Sequence, residues 1–338
     1  MGTHAFGIDL GTCNIKIFNK SKKQILNEKN VIAIENKVNV FAIGDEAFEM
    51  VEKVPGNIKI IFPVHYGVIS DIQSMTKILL RLLKKMTKDT LKKSEFVVSV
   101  PTDITEVERR AISELLENSS LKPKKVTIID KPIADALGVG VEVTSARGAM
   151  VVNIGADTTE ISILSLGGIV LSKLIKVGGN DLDESIISAI KRERNLHIGS
   201  KTAENVKIKI GSAVKQPETT AMVCGRDLLN GLPVEKEISS DLIYDAMSEK
   251  LHHIVDNIKV ILERTPPELG ADIIRNGIYI TGGSAMLGAF DQFIANETGL
   301  KVNLSEKPDE SVIRGLGEVI QNPAKISPKR KQKKQSEK

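Results

Sequence analysis

A chain of 338 residues is too long for one ordinary hydrophobic core, so we expect two domains. Hydrophobic residues make up 41%, but aromatic residues are only 3% and tryptophan is absent, so Ile, Val and Leu must fill the interior. The net charge of +4 is uneven, because residues 323–338 hold seven of the 47 basic residues and one of the 43 acidic residues. The rest is a nearly neutral body without the basic, aromatic-interleaved pattern of nucleic-acid binding, so we expect no nucleic-acid partner.

The chain also lacks the sequence features of secretion and of membrane spanning. The first 20 residues contain no long apolar run, and no window reaches the roughly 18 apolar residues of a membrane-spanning helix. Without a secretion signal, Cys13 and Cys224 are expected to be free thiols. These features predict a cytoplasmic protein whose Pro- and Ser-containing basic tail, 323–338, is disordered.

The N-terminal half is predicted to be a β meander followed by alternating helices and strands. Strands are expected at 6–9, 15–18, 31–34, 40–42, 96–100 and 126–129. The helical spacing of apolar residues predicts a helix over 71–86. The capping-box spacing of Thr105 and Glu108 predicts another over 105–118. Pro132 at a first turn predicts a helix over 132–138.

The same pattern then restarts. Strands are expected at 150–153, 160–166 and 168–177, followed by helices over 181–191 and 201–210. Strands at 221–223 and 228–234 suggest a small insertion. A helix over 241–263, a strand over 277–281 and a helix over 286–296 complete this half, and the start of that last helix is expected to face a ligand. Both halves share a strand–strand–strand–helix order, which suggests a duplication.

Three glycine-containing turns stand where predicted strands end. They are Asp9-Leu10-Gly11-Thr12, the segment from Asn153 to Thr159, and Ile280-Thr281-Gly282-Gly283-Ser284. Glycine lets the backbone approach a phosphate closely, and exposed N–H groups with a nearby hydroxyl satisfy its oxygens. Because two of these turns open similar units in the two halves, we predict duplicated domains that close on a nucleotide from both sides.

These turns resemble the two phosphate motifs and the adenosine motif of the actin, sugar-kinase and DnaK-type chaperone superfamily. Within it the chain is most similar to the MreB family of bacterial actins. Supporting stretches include Gly67-Val68-Ile69-Ser70-Asp71, Val107-Glu108-Arg109-Arg110-Ala111 and Pro266-Pro267-Glu268-Leu269. The Lys- and Asn-rich composition is compatible with a divergent paralogue from a wall-less helical bacterium.

The resemblance implies an α/β protein with the actin-like fold. It would have two duplicated α/β domains with mixed five-stranded sheets, each with a small subdomain insertion, and a nucleotide cleft between them. The implied division is 1–32, 66–145 and 312–322 for domain IA, 33–65 for domain IB, 146–180 and 242–311 for domain IIA, and 181–241 for domain IIB. The tail at 323–338 lies outside it.

The resemblance also implies that the cleft binds ATP and Mg²⁺. The residues implied to contact the phosphates are Thr12, Cys13, Asn14, Gly155, Ala156 and Asp157. Those implied to hold the ribose and adenine are Glu204, Lys207, Gly283, Ser284, Ala285 and Met286. Asp9 would hold Mg²⁺ through water, because hard divalent ions prefer oxygen ligands. Without the resemblance, Glu204 and Lys207 are also compatible with an ordinary exposed helix pair.

Three positions depart from the family pattern. The family has a Glu, thought to position the attacking water, where this chain has Lys131, and a charged ammonium has no acceptor. Asn153 replaces an Asp and so removes one carboxylate from the outer shell of the metal. Asp157 replaces a glycine and adds a negative charge beside the phosphates. We hypothesise that Lys131 and Asp157 form a compensating ion pair.

The degenerate position at Lys131 bears directly on function. Orienting groups contribute roughly 10²–10⁴-fold to rate, so we predict ATP binding with slow or undetectable hydrolysis. Alternatively, Asp130, Thr158 or Thr159 positions the water and activity is retained. By the resemblance, subunits stack head-to-tail into cytoskeletal filaments for cell shape or motility, paired antiparallel. The alternative function is a non-polymerising pseudo-ATPase that regulates active MreB paralogues.

Membrane attachment is predicted to depend on the tail, if it occurs. Residues 1–5 are too short and polar for an amphipathic anchor, and the loop 87–95 contains one apolar residue. Basic residues near an anionic membrane surface contribute about 1 kcal/mol each, so the tail would bring the protein to the membrane periphery. The alternative is a solvating tail that keeps filaments soluble.

Overall fold

The computed structural model describes residues 4–87 and 91–326. The strands are β1 (Ala5–Leu10), β2 (Asn14–Asn19), β3 (Gln24–Lys29), β4 (Ile32–Glu35), β5 (Asn39–Ile43), β6 (Ile58–Ile61), β7 (Val64–His65), β8 (Val68–Ile69), β9 (Glu95–Val100), β10 (Lys125–Asp130), β11 (Ala149–Ile154), β12 (Thr159–Ser165), β13 (Gly168–Ile175), β14 (Leu196–His197), β15 (Thr220–Asp227), β16 (Pro233–Ser239), β17 (Ile278–Thr281) and β18 (Val302–Leu304). The α-helices are α1 (Gly44–Glu49), α2 (Ile72–Met86), α3 (Glu106–Glu117), α4 (Lys131–Gly138), α5 (Gly179–Arg194), α6 (Ser200–Ile210), α7 (Ser240–Glu263), α8 (Pro267–Asn276), α9 (Phe290–Thr298) and α10 (Ser311–Gln321).

The first half folds around a mixed five-stranded sheet in the order β10-β9-β1-β2-β3. Strand β1 runs antiparallel to β2 and parallel to β9. All six residues of β1 are buried, because helices cover both faces of the sheet. Phe6 and Phe96 stack with ring centroids 5.7 Å apart in the core beneath α2 and α3.

The second half repeats this topology. Its five-stranded sheet has the order β13-β12-β11-β17-β18, with β11 antiparallel to β12 and parallel to β17. The strands β11, β12, β13, β17 and β18 therefore correspond to β1, β2, β3, β9 and β10. Its core beneath α5 and α7 is rich in Ile and also holds Phe290 and Phe293, whose ring centroids are 6.4 Å apart. The predicted duplication and the α/β fold class are confirmed.

Each half carries a small sheet within the region predicted as an insertion. In the first half, β4, β5 and β6 form a three-stranded sheet in the order β5-β4-β6, which packs on α1 through a cluster that includes Val31, Ala33 and Ala47. In the second half, β14, β15 and β16 form a three-stranded sheet in the order of the chain. The exact domain limits stay a prediction.

Helices α4 and α10 cross at two glycines where the two halves meet. A Cβ atom on Gly315 would lie 1.6 Å from the carbonyl oxygen of Ala134. A Cβ atom on Gly138 would lie 1.8 Å from the carbonyl oxygen of Ser311. Helix α4 follows β10 and α10 follows β18, so this close crossing joins equivalent helices of the two repeats.

Two elements predicted from sequence are wrong. Residues 228–232 form the turn of a hairpin and the strand begins at Pro233, because the Asp227 carboxylate accepts from the backbone of Leu229 and Gly231 adopts φ +75°. Residues 286–296 are not one helix. Residues Gly283–Met286 form a 3₁₀ turn, and Ala289 in the left-handed region precedes α9. The start of α9 therefore does not face the cleft.

Most other elements agree with their predicted positions. The capping box of α3 is present, with the Thr105 hydroxyl oxygen accepting from Glu108 N and Thr105 N donating to the Glu108 carboxylate. Both cysteines are free. Residues Pro323–Ile326, at the start of the predicted disordered tail, form a 3₁₀ turn. The rest of the tail, residues 1–3 and residues 88–90 of the predicted membrane loop lie outside the described residues.

None of the described helices combines the length and the apolar character that crossing a membrane requires.

Candidate functional site

A cleft of ≈ 480 Å³ lies between the two five-stranded sheets. Its size is typical of small-molecule sites. The β1–β2 turn, the β11–β12 turn and the chain after β17 all contribute to its lining. These turns meet there because the corresponding strands of the two repeats end toward each other, so the three predicted turns come together at one site.

The first turn is held close to its own backbone. A Cβ atom on Gly11 would lie 2.6 Å from the carbonyl oxygen of Asn14, so only glycine fits without a shift. The Asn30 side chain donates to the Gly11 carbonyl at 2.8 Å, and Asn30 N donates to the Cys13 carbonyl at 2.8 Å. These bonds fix the turn from behind and leave Thr12, Cys13 and Asn14 lining the cleft.

The second and third turns are bonded to each other. Gly155 N donates to the Thr158 carbonyl at 2.8 Å, and the Ser284 hydroxyl donates to the Gly155 carbonyl at 2.8 Å. Gly282 has φ +86°, and a Cβ atom there would lie 2.3 Å from the carbonyl oxygen of Ile154. The third turn is therefore seated directly on the second.

An ion pair lies at the floor of the cleft. Lys131 Nζ is 3.4 Å from Asp9 Oδ1, which also accepts from the Ser99 hydroxyl at 3.0 Å. Burial would raise the pKa of Asp9, but Lys131 and Lys16 outweigh it and hold that pKa below its ordinary value. Burial would lower the pKa of Lys131, but Asp9 and Glu160 outweigh it and raise that pKa. Both groups are therefore charged at neutral pH.

A buried carboxyl group lies directly behind this floor. Asp135 of α4 is fully buried, and burial raises its pKa to about 7. Its Oδ2 accepts from the Thr281 hydroxyl at 2.5 Å and from Asn153 Nδ2 at 2.9 Å, while Asn153 Nδ2 also lies 3.1 Å from Thr281 Oγ1. Since the amide nitrogen of Asn153 is used inside the protein, its oxygen is the group left for the cleft, which Asn153 lines.

The wall built by α5 and α6 holds a second ion pair. Lys207 Nζ lies 2.8 Å from Asp183 Oδ1 and donates to the Gly179 carbonyl at 2.9 Å. Burial raises the pKa of Asp183 to about 6, although Lys207 opposes the shift. Glu204 lines the same wall one helical turn before Lys207. The predicted helix pair thus faces the cleft and not solvent.

Side chains from both halves also meet beside Lys29, which lines the cleft. Phe48 of α1 lies between two ammonium groups, Lys29 Nζ at 4.5 Å and Lys201 Nζ at 4.3 Å from its ring centroid. Lys201 also lies 3.8 Å from Glu49, and the Ser200 hydroxyl donates to Glu52 at 3.2 Å. We call this group of contacts the mouth bridge; its residues are Lys29, Phe48, Glu49, Glu52, Ser200 and Lys201.

Most residues predicted for the site line the cleft. They are Asp9, Thr12, Cys13, Asn14, Lys131, Asn153, Gly155, Ala156, Thr158, Glu204, Lys207, Gly283, Ser284 and Met286. Four predicted residues are not among the described residues that line it. Ala285, Asp157 and Thr159 are buried, and Asp130 pairs with Arg109 at 2.8 Å.

The hypothesised ion pair between Lys131 and Asp157 is wrong. Lys131 pairs with Asp9. Asp157 accepts from Tyr66 N at 3.0 Å and from Asn180 Nδ2 at 2.7 Å. Backbone and amide donors therefore compensate its charge.

Sequence reasoning missed several charged residues of the cleft: Lys16, Lys29, Glu160 and Asp183. Lys16 and Glu160 are buried charged residues in strands whose residues are mostly buried, directly after the two turns. That placement was the available signal, because a charged side chain in a buried strand needs a partner. Asp183 lies in a helix and carried no comparable signal.

The duplicated sheets, the crossing helices and the cleft between them define an actin-like protein. The MreB/Mbl protein family model matches residues 3–328. The chain is 41% identical over 328 residues to the cell shape-determining protein Mbl of Bacillus subtilis, covering 96% of this chain and 98% of that protein. The chain therefore belongs to the MreB/Mbl family of cell shape-determining, actin-like proteins.

Solved structures agree with this assignment. MreB 5 of Spiroplasma citri bound to AMPPNP superposes with a TM-score of 0.91 at 33% identity, covering 96% of this chain and 98% of that one. The MamK double helical filament superposes with a TM-score of 0.81 at 21% identity, covering 95% and 99%, and shows that the fold is shared.

Proposed function

We propose that this protein binds ATP in the cleft between its two sheets and polymerises into cytoskeletal filaments for cell shape or motility. The observation that carries the proposal is the convergence of three tight backbone turns on one cleft that is bounded by both repeats. Backbone N–H groups of such turns suit phosphate oxygens. The S. citri relative is described with AMPPNP bound, which supports the same ligand class here.

The nucleotide would be held by the residues predicted for it that line the cleft. Thr12, Cys13 and Asn14 would contact the phosphates from one repeat, and Gly155 and Ala156 from the other. The ribose and base would lie between the Glu204–Lys207 wall and the 3₁₀ turn Gly283–Met286. Met286 is 60% exposed, which leaves its side chain available to cover a base.

Mg²⁺ would be held through water by Asp9, with the Asn153 amide oxygen as a neutral acceptor nearby. Both residues line the cleft, and oxygen donors suit this ion. These residues would offer Mg²⁺ a site of low negative charge, because Lys131 already pairs with Asp9. When bound, the ion would neutralise phosphate charge.

Hydrolysis is proposed to be slow, because Lys131 stands where the family has a water-positioning Glu. Lys131→Glu should raise phosphate release from ATP by about 10-fold or more, since an orienting acceptor contributes roughly 10²–10⁴-fold. Lys131→Gln, which restores an acceptor without a charge, is the matched control. An ordinary rate in the wild-type protein would contradict the proposal, and Thr158 would then be the first group to test, since Asp130 pairs with Arg109.

Polymerisation is tested by sedimentation of the purified protein with and without ATP and Mg²⁺. A filament-forming protein should pellet with ATP at concentrations where it stays in the supernatant without nucleotide. Electron microscopy of the pellet would test whether the filaments pair antiparallel. A protein that binds ATP but never pellets would favour the alternative, a regulator of MreB paralogues.

Membrane association of the filaments is proposed to depend on the basic residues of the tail. Anionic vesicles should retain the full chain at low salt and release it at high salt, because such attraction is screened. Retention by neutral vesicles would contradict this attachment.

A further inference from the structure

We propose that the Lys131 ammonium is a built-in counter-ion for nucleotide phosphates, so that this cleft binds nucleotide with little dependence on Mg²⁺. The inference rests on the proposed nucleotide site. It concerns how the phosphate charge is neutralised, which the likeness to other family members does not decide.

The position of Lys131 is the first observation. It is the first residue of α4, and its side chain is 16% exposed, so the ammonium is held in the cleft floor and not free in solvent. It lines the cleft together with Gly11, Thr12 and Gly155 from the two phosphate turns. An ammonium group has three donors, and the pair with Asp9 leaves donors for phosphate oxygens.

The charge balance of the floor is the second observation. Among the charged side chains that line the cleft, Lys16 acts on Asp9 and Glu160 acts on Lys131, so two positive and two negative charges are grouped at this ion pair without a metal ion. A Glu at position 131 would make the same floor more negative by two unit charges. A polyanionic phosphate chain would then require a divalent cation.

The side chains that would bind Mg²⁺ are also weaker cation ligands than free carboxylates would be. Asn153 presents a neutral amide oxygen where a carboxylate would attract a cation, and its orientation is set by the bonds to Asp135 and Thr281. The Asp9 carboxylate already shares its charge with Lys131. Glu160 Oε1 accepts from Thr102 N at 2.8 Å and from the Thr102 hydroxyl at 2.6 Å, so one of its two carboxylate oxygens is already used inside the protein.

These substitutions compensate one another. Lys131 supplies a fixed positive charge where Asn153 has removed a negative one, and both changes favour anionic phosphate over a divalent cation. Charged pairs across a binding site determine affinity strongly when they are withdrawn from water. The residue that removes a water-positioning acceptor therefore also supplies part of the charge that a metal ion would provide.

The test is calorimetric titration of the full-length protein with ADP and with ATP, in Mg²⁺ and in excess EDTA at equal ionic strength. For the wild type, removing Mg²⁺ should weaken binding by less than about threefold, because Lys131 remains in place. For Lys131→Glu, removing Mg²⁺ should weaken binding by about 30-fold or more, and adding it back should restore binding.

Two further variants complete the design. Nucleotide binding by Lys131→Gln should depend on Mg²⁺ to an intermediate degree. This variant keeps the test informative if Lys131→Glu does not fold. Lys59→Glu, an equal charge change on an exposed strand residue, should behave as the wild type. Thermal unfolding without nucleotide confirms that each variant is folded.

The outcomes separate the two proposals. Wild-type binding that requires Mg²⁺ as strongly as Lys131→Glu does would overturn this inference and leave the proposed function intact. Absence of binding by the wild type in both conditions would overturn the proposed function itself.

Discussion

At the scale of single residues, Asp135 shows how one buried carboxyl group links the two repeats. It belongs to α4, yet it accepts hydrogen bonds from Asn153 of β11 and Thr281 of β17 in the other repeat. Its pKa is raised by burial to about 7, against an ordinary value of 3.8. Lys131 and Asp9 are the charged groups that act on it, and they oppose each other.

This pKa predicts a specific pH dependence of folding stability. The folded protein holds the Asp135 proton to a higher pH than the unfolded chain, so the stabilisation is complete in acid and is lost as the pH rises through about 7. Between about pH 5.5 and 8 the loss should be about 2 kcal/mol, because each pKa unit is worth about 1.4 kcal/mol. Asp183, with a pKa of about 6, acts in the same direction.

Urea unfolding at the two pH values measures the effect. Asp135→Asn keeps the shape and an acceptor for Asn153 but cannot titrate, so its stability should change less over this range than that of the wild type. Equal slopes for the two proteins would show that Asp135 does not titrate in this window.

At the scale of elements, the crossing of α4 and α10 sets the distance between the two repeats. The helices pack backbone to backbone at Gly138 and Gly315, an approach that no larger side chain allows. Neither glycine has a positive φ angle, so it is close packing and not backbone conformation that requires glycine here.

Gly315→Ala should therefore destabilise the fold by about 2–3 kcal/mol, because the added methyl group forces the helices apart. Gly270→Ala is the matched control, since it also lies in a helix but a Cβ atom there meets no heavy atom within 4 Å. It should be neutral or stabilising by up to about 1 kcal/mol. Denaturant midpoints compare the two, and equal midpoints would count against the close crossing.

At the scale of the whole molecule, the two repeats contact each other at several places around the cleft. The crossing helices, the Asp135 network and the mouth bridge all join them, and Lys29 of the mouth bridge also lines the cleft. We expect the mouth bridge to slow the release of a bound nucleotide.

Lys201→Ala should speed nucleotide release by about threefold to tenfold, since a cation–π contact contributes about 0.5–2 kcal/mol. Release of a fluorescent ATP analogue into excess ATP measures this rate. Lys191→Ala, an exposed lysine of α5, controls for loss of charge. Unchanged release from Lys201→Ala would show that the bridge does not restrict exit.

The sequence by itself determined the duplication, the three turns and most elements, because apolar periodicity, capping pairs and glycine turns act over a few residues. The sequence predictions for the strand at 228–234 and for the helix at 286–296 were wrong. The hydrogen bond to Asp227 holds the first segment in a turn, and the left-handed backbone of Ala289 interrupts the second. Only the tertiary structure decided which groups pair with the charged and buried polar side chains of the cleft. Lys131 pairs with Asp9 and not Asp157, and Asp135 faces Asn153, because these residues are far apart in sequence and meet only when both repeats fold and close on one another.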